Sequence, residues 1–221
     1  MESITRKQYG KIHLYNIEAD APGQWDIKEA THVRVSLPAN TTYILEMQEY
    51  GYQFVDRMLY VTINLKRCNL DLNQCIRMSP ILTSEYKNEI KELAVNNFNT
   101  DRRFHVEIDY NQEIAKAIID EWVEEIPEFY VCLYKENVTG FLALKEQEDR
   151  KNAEVYLAAV EKRYRTSGAA LSLYANALKI GLEKGYHSIT GYISSNNTSV
   201  MNLYSYLGGI FSAPTDIFLR K

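Results

Sequence analysis

Apolar and polar residues alternate through Val33, Val35 and Leu37, which predicts a half-buried strand over residues 31–37, and residues 11–17 predict another. The run Pro38-Ala39-Asn40-Thr41-Thr42 offers a cap for a short helix over residues 43–50, ended by Gly51. Residues 52–65 are dense in aromatic and β-branched side chains and predict a long strand. Polar residues 66–74 then interrupt the pattern. They mark the expected boundary between a small α/β unit, residues 1–74, and a larger domain, residues 75–221.

In the larger part, residues 76–81 predict a strand, and Ser84 is placed to cap a helix whose Tyr86, Ile90, Leu93, Ala94 and Phe98 share one face. After a charged loop over residues 99–105, a helix over 111–126 aligns Ala115, Ile118, Ile119, Trp122 and Ile126 and stops before Pro127. Residues 129–134 and 140–144 predict a hairpin turned at 136–140, and residues 154–160 a further strand. A helix from Ala169 to Gly185 aligns Ala170, Tyr174, Ala177, Leu178 and Gly181. The last strands fall at 188–193 and 216–220, around a short helix over 197–207 that Gly208-Gly209 ends. The order β–α–α–β–β–β–α–β–α–β lacks strict βα alternation. It predicts an α/β (α+β) fold, a mixed sheet with helices on both faces.

A chain of 221 residues can bury a substantial core, and its apolar and charged content is that of a globular protein. A net charge of -4 argues against general nucleic-acid binding, which needs a basic face. Local basic clusters such as residues 162–165 therefore read as sites for a small anion. Cys68, Cys75 and Cys132 are odd in number without CxxC spacing, so reduced thiols are expected, with no disulfide and no metal. Apolar runs fall short of the ~20 residues of a membrane span. Residues 1–7 lack the apolar core of a signal peptide. The expected location is cytoplasmic. Seventeen tyrosines suit core or rim positions with an apolar body and a wet tip, or the lining of a polar, uncharged acceptor pocket.

Candidate chemistry concentrates between Ala158 and Leu171. Ala158, Ala159 and Val160 end a strand, Arg163 and Arg165 follow in a basic turn, and Ser167-Gly168-Ala169-Ala170 opens a helical segment. A helix start without bulky side chains presents free N–H groups and about half a positive charge, which together bind phosphate. The arginines add charge-assisted donors. An ordinary strand–helix connection with surface arginines has the same pattern, and residues further along the chain separate the two.

Val160 followed by Arg165-Thr166-Ser167-Gly168-Ala169-Ala170 resembles the (Arg/Gln)-x-x-Gly-x-(Gly/Ala) motif after a valine-ended strand in the GCN5-related N-acetyltransferase (GNAT) superfamily. Asn197, Tyr204 and Leu207-Gly208 resemble that family's second pattern. Phe98, Arg103, Phe104, Trp122 and Asn197-Thr198 are similar to the branch that acetylates the 4-amino group of a nucleotide-linked deoxysugar, the TDP-fucosamine acetyltransferases. The chain departs from the pattern at Thr166, where many members have glycine, and at Gly209, where an aromatic is usual. His105 replaces an arginine on the expected acceptor side.

The resemblance implies a mostly antiparallel GNAT-like sheet and acetyl-CoA as co-substrate. Its pyrophosphate would sit on the amides of Arg165, Thr166, Ser167, Gly168, Ala169 and Ala170, and its pantetheine arm would add to Ala158, Ala159 and Val160 like an extra strand. Asn197 would bond that arm or cap the last helix, and Tyr204 would act as general acid. Arg103 and His105 would hold a small-molecule amine, a nucleotide-linked amino sugar, with His105 or Glu154 accepting its proton. No nucleic-acid or membrane partner is implied, and a homodimer stays open. Two rivals fit the same residues: a GNAT enzyme for another small-molecule or protein amine, and a catalytically inactive acyl-CoA-binding module.

Overall fold

The computed structural model describes residues 2–68, 70–98, 112–147 and 151–221. The first stretch holds β1 (Ser3–Tyr9), β2 (Ile12–Glu18), β3 (His32–Pro38), α1 (Thr41–Glu49) and β4 (Gln53–Asn64). Next come α2 (Leu72–Cys75), β5 (Ile81–Thr83), α3 (Lys87–Asn97), α4 (Gln112–Glu124), β6 (Phe129–Tyr134), β7 (Asn137–Glu146) and β8 (Asn152–Val160). The chain closes with α5 (Ala169–Glu183), β9 (Ser188–Ser194), α6 (Thr198–Tyr206), β10 (Ile210–Phe211) and β11 (Thr215–Arg220). Among the described residues no helix is long and apolar enough to cross a membrane.

The eleven strands among the described residues share one sheet in the order β1-β2-β3-β11-β4-β9-β8-β7-β6-β5, with β10 also on β4. Among the described residues only β2/β3 and β8/β9 run parallel, so the sheet is mixed and mostly antiparallel. The division expected after residue 74 does not separate two sheets: β4, from the first part, lies between β11 and β9, both from the second. Arg57 on β4 clasps the buried Asp216 of β11 through two hydrogen bonds of 2.6 and 2.9 Å, fixing that join. Helices α3 and α4 cover one face through Ile90, Leu93, Ile118 and Ile119, and α5 covers the other through Leu173, Ala177 and Leu178. A third cluster packs Met47 of α1 against Val35, Leu37 and Phe218.

Three expectations need correction. Residues 76–80 are not a strand: the Arg77 and Met78 N–H groups donate to the Ser172 hydroxyl at 3.0 and 3.1 Å, and Pro80 has no N–H to give a ladder. Pairing with β6 begins only at Ile81. Ser84 does not cap α3; Tyr86 holds that place with φ of 62° and packs its ring against the core, so tertiary burial overrides capping. The β6–β7 hairpin turns at Lys135 and Glu136, both with positive φ as a two-residue I′-type turn requires, not over residues 136–140. Strand β1 has no expectation to match: as an exposed edge strand carrying Arg6 and Lys7 it shows no apolar alternation.

Tyr186, just before β9, donates its hydroxyl to Glu146 at 2.6 Å. Burial and that carboxylate push its phenol up to about 12. An unfolded tyrosine releases its proton near pH ~10. The native phenol therefore contributes stability that is complete below about pH 10 and lost as pH climbs toward 12. Melting temperature measured from pH 8 to 12 is expected to fall across that window, less steeply in Tyr186→Phe; superimposable curves would remove Tyr186 from the effect.

Candidate active site

Strands β8 and β9 pair only over Asn152–Val155 and Ser188–Gly191, and then part. The parting has a cause in β8. Its ladder with β7 slips at Ala143/Leu144, leaving Tyr156 as a bulge residue, and bulges bend a strand and increase its twist. Beyond the bulge, the Glu161 N–H donates to the Thr139 carbonyl at 2.8 Å. Alternation in an antiparallel ladder then turns the main-chain groups of Ala159 toward β7 and those of Ala158 and Val160 into the gap. On the other side the Ser195 N–H donates to Arg57 at 2.8 Å, so Tyr192 and Ser194 turn their main-chain groups toward the gap as well. The result is a cavity of about 790 Å³ whose walls include two strand edges.

One end of the cavity is the start of α5. Gly168 occupies the N-cap with φ of 86°, in the left-handed region that glycine adopts without strain, and offers no side-chain cap. The six residues of the expected phosphate cradle divide evenly. The N–H groups of Arg165, Ser167 and Ala169 donate to Lys162, Tyr164 and the Ser167 hydroxyl. Those of Thr166, Gly168 and Ala170 have no partner among the described residues. Thr166, Gly168 and Ala170 also line the cavity. Ala170, expected in the core, is only half-buried because it faces that space, and Ala169 is buried instead. Arg165 lines the cavity and donates to Asn97 at 2.8 Å. Arg163 turns outward, pairing with Glu161 at 2.7 Å.

Helix α6 brings in Tyr204. Its ring is fully buried, edge-on to Tyr174 with centroids 5.2 Å apart. Its hydroxyl stands against Gly191, the last β9 residue paired with β8, where any Cβ would collide with it and lie 3.2 Å from the ring carbon Cζ. The phenol thus sits where the strands separate. Asn197 lines the cavity and caps α6, its side chain accepting from the Val200 N–H at 3.2 Å. The turn before it is tied to β4. The buried Asp56 carboxylate accepts from the Arg57 N–H at 2.8 Å, the Ser194 hydroxyl at 3.0 Å and the Asn196 amide at 3.3 Å.

The rest of the wall mixes apolar side chains, Phe98 and Phe141 among them, with tyrosine and asparagine. Tyr156 and Tyr192 line it, Trp122 of α4 packs against the Tyr156 ring at 5.2 Å, and Tyr192 packs against Tyr60 at 4.8 Å. Burial raises both lining phenols, and the Glu154 carboxylate adds to each by its charge. Glu154 itself is not a lining residue. Arg165 is the only charged side chain among the described residues that line the cavity. Arg103, Phe104 and His105 lie outside the described residues. Gly191, Ser194, Asn196 and Asp56 were not singled out from sequence. Gly191 breaks a strand otherwise rich in β-branched and aromatic residues, which signals a close approach; Asp56 gives no such sign, because its partner Ser194 lies 138 positions away.

Residues 88–208, more than half of the chain, match the Acetyltransferase (GNAT) family. The chain is a member of the GNAT acetyltransferase family. No curated protein matches it. Among solved structures it is similar to a conserved protein of unknown function from Staphylococcus epidermidis (13% identity, 95% of this chain and 84% of that one, TM-score 0.67). It is likewise similar to a GCN5-related N-acetyltransferase from Sphaerobacter thermophilus (12% identity, 99% and 75%, TM-score 0.65). A glucosamine N-acetyltransferase region in a fungal multi-domain β-N-acetylglucosaminidase also shares the fold (8% identity, 98% and 31%, TM-score 0.64).

For this acetyltransferase, Gly191→Ala drives a methyl group into the Tyr204 hydroxyl. Displacing a reacting group by about 1 Å can cost ~100-fold in rate. The expected result is a loss of that order, with the double variant Gly191→Ala/Tyr204→Phe no slower than Tyr204→Phe alone. A wild-type rate in Gly191→Ala would show that this contact has no part in the working geometry.

Proposed function

We propose that this GNAT enzyme transfers the acetyl group of acetyl-CoA to the 4-amino group of a TDP-linked amino deoxysugar. The observation that carries the acceptor class is the polar part of the cavity lining: beside apolar residues such as Phe98 and Phe141 it is tyrosines, asparagines and serines, with no acidic side chain among the described lining residues. Such a wall suits a hydroxyl-rich sugar, which gives and takes neutral hydrogen bonds. A lysine-rich peptide would call for carboxylates instead. The 4-amino position and the TDP carrier rest on the resemblance through Phe98, Arg103, Phe104 and Trp122. The fold's use by a fungal glucosamine N-acetyltransferase region agrees with a sugar amine.

Bound acetyl-CoA supplies an acetyl thioester. The N–H groups of Thr166, Gly168 and Ala170, with the α5 N-terminus behind them and Arg165 beside them, fit a pyrophosphate. Ala158 and Val160 offer the main-chain groups of an open strand edge to an extended, amide-containing arm. One such N–H directed at the thioester oxygen is worth about 3 kcal/mol as charge develops there. The acceptor ammonium first gives up one proton, to His105 or, through water, to Glu154 on β8. The nitrogen then attacks, the carbon–sulfur bond breaks, Tyr204 gives its hydroxyl proton to the departing sulfur, and the extra proton left on the new amide nitrogen returns through water to the Tyr204 phenolate. A phenol of pKa ~10 suits a thiol leaving group of similar basicity. Arg103 and His105 anchor the acceptor's nucleotide end.

Two measurements test this. Tyr204→Phe is expected to lower turnover by about 100- to 10,000-fold while acetyl-CoA affinity stays within about twofold of wild type; undiminished turnover would remove Tyr204 as the acid. Thiol release with a panel of TDP- and UDP-linked 4-amino sugars, an aminoglycoside and a lysine peptide is expected to be fastest with a TDP-linked sugar. Release with the peptide alone would contradict the assigned acceptor.

A further inference from the structure

Outside the stretch that matches the family, the segment around Arg77 is fastened to the start of α5 by one hydroxyl. Ser172 is fully buried, and its Oγ donates to the Gly168 carbonyl at 2.9 Å while accepting from the Arg77 and Met78 N–H groups at 3.0 and 3.1 Å. One donor and two lone pairs are all a serine hydroxyl has, so its capacity is filled. The fastening places the Arg77 side chain over the N-cap of α5. Its Cδ is 3.2 Å and its Nε 3.9 Å from where a Cβ on Gly168 would be. Arg77 is exposed and has no carboxylate or other acceptor among the described residues. A guanidinium without a partner among the described residues is thus held beside Gly168, whose N–H, like those of Thr166 and Ala170, is unpartnered.

We infer that Arg77 is a binding residue for the pyrophosphate of the acetyl donor, reaching the Gly168 N-cap of α5 from the segment before β5 while Arg165 lies in the turn after β8. The inference rests on the proposed use of acetyl-CoA and adds to it a residue that the family's motif does not contain. The guanidinium fork matches two phosphate oxygens at once, which a lysine ammonium does not. The absence of a side chain at Gly168 then has a second reason besides its backbone: a Cβ would crowd the Arg77 stem that reaches past it.

The test is calorimetric titration of wild type, Arg77→Met and Arg77→Lys with acetyl-CoA and with 3′-dephospho-acetyl-CoA, after equal melting temperatures establish that the variants are folded. Arg77→Met is expected to weaken both ligands by the same factor, about 10- to 100-fold, with Arg77→Lys between it and wild type. Unchanged affinity in Arg77→Met would overturn the inference. So would a loss confined to the ligand that carries the 3′-phosphate, which would put Arg77 on that phosphate instead. Wild type that binds neither ligand would sink the donor assignment itself, an outcome distinct from a failure of Arg77 alone.

Discussion

A backbone amide in a sheet interior is ordinarily held by its neighbour strand, because a buried N–H without a partner costs roughly 1–3 kcal/mol. The parting of β8 from β9 sets this rule aside in the middle of an eleven-stranded sheet. The Tyr156 bulge turns Ala158 and Val160 away from any partner strand, and β7 and β4 hold the two edges from outside. Most of the candidate site residues among those described are arranged around that gap. The start of α5 closes one end of it, Tyr204 stands at its apex, and tyrosines, asparagines and apolar side chains line the rest.

A gap of this kind persists only if both edges are fixed. On the β8 side, β7 runs alongside to Val160, and small Gly140 lets Val160 and Leu173 close over it. On the β9 side, seven residues of β4 pair with Ser188–Ser194, and Asp56 gathers the Ser194 hydroxyl and the Asn196 amide at the strand's end. Asp56 also stabilises the turn from which Asn197 starts α6, and so helps set the height of Tyr204 over Gly191. The Arg57–Asp216 clasp then joins β4 to β11. Residues 1–74 therefore contribute a wall of the site's support: β4 comes from them, and so does the turn that carries Asp71 and α2 against α5.

Much of this was legible in the sequence, for local reasons. Strong periodicity exposed α3, α4 and α5, the alternation of Val33, Val35 and Leu37 exposed β3, and the small residues after Val160 exposed the helix start. What escaped depends on distant partners. Residues 76–80 look like a strand until Ser172, nearly a hundred positions on, takes their amides. Tyr86 displaces Ser84 at the α3 cap because a ring in the core outweighs a hydroxyl on the surface. Asp56 reads as one more polar residue in a long strand until Ser194 and Asn196 arrive beside it. The division after residue 74 follows a real change in local pattern, but pairing across the sheet is blind to it.

Under the proposed function, particular main-chain N–H groups, and not their immediate neighbours, receive the acetyl donor. Amide-resolved hydrogen exchange by NMR, with and without acetyl-CoA, addresses those groups one at a time. Exchange is predicted to slow on binding at Ala158, Val160, Thr166, Gly168 and Ala170, while Ala159 and Ser167, already bonded within the chain, change little. Uniform slowing across the whole stretch, or none at the first five, would contradict the account.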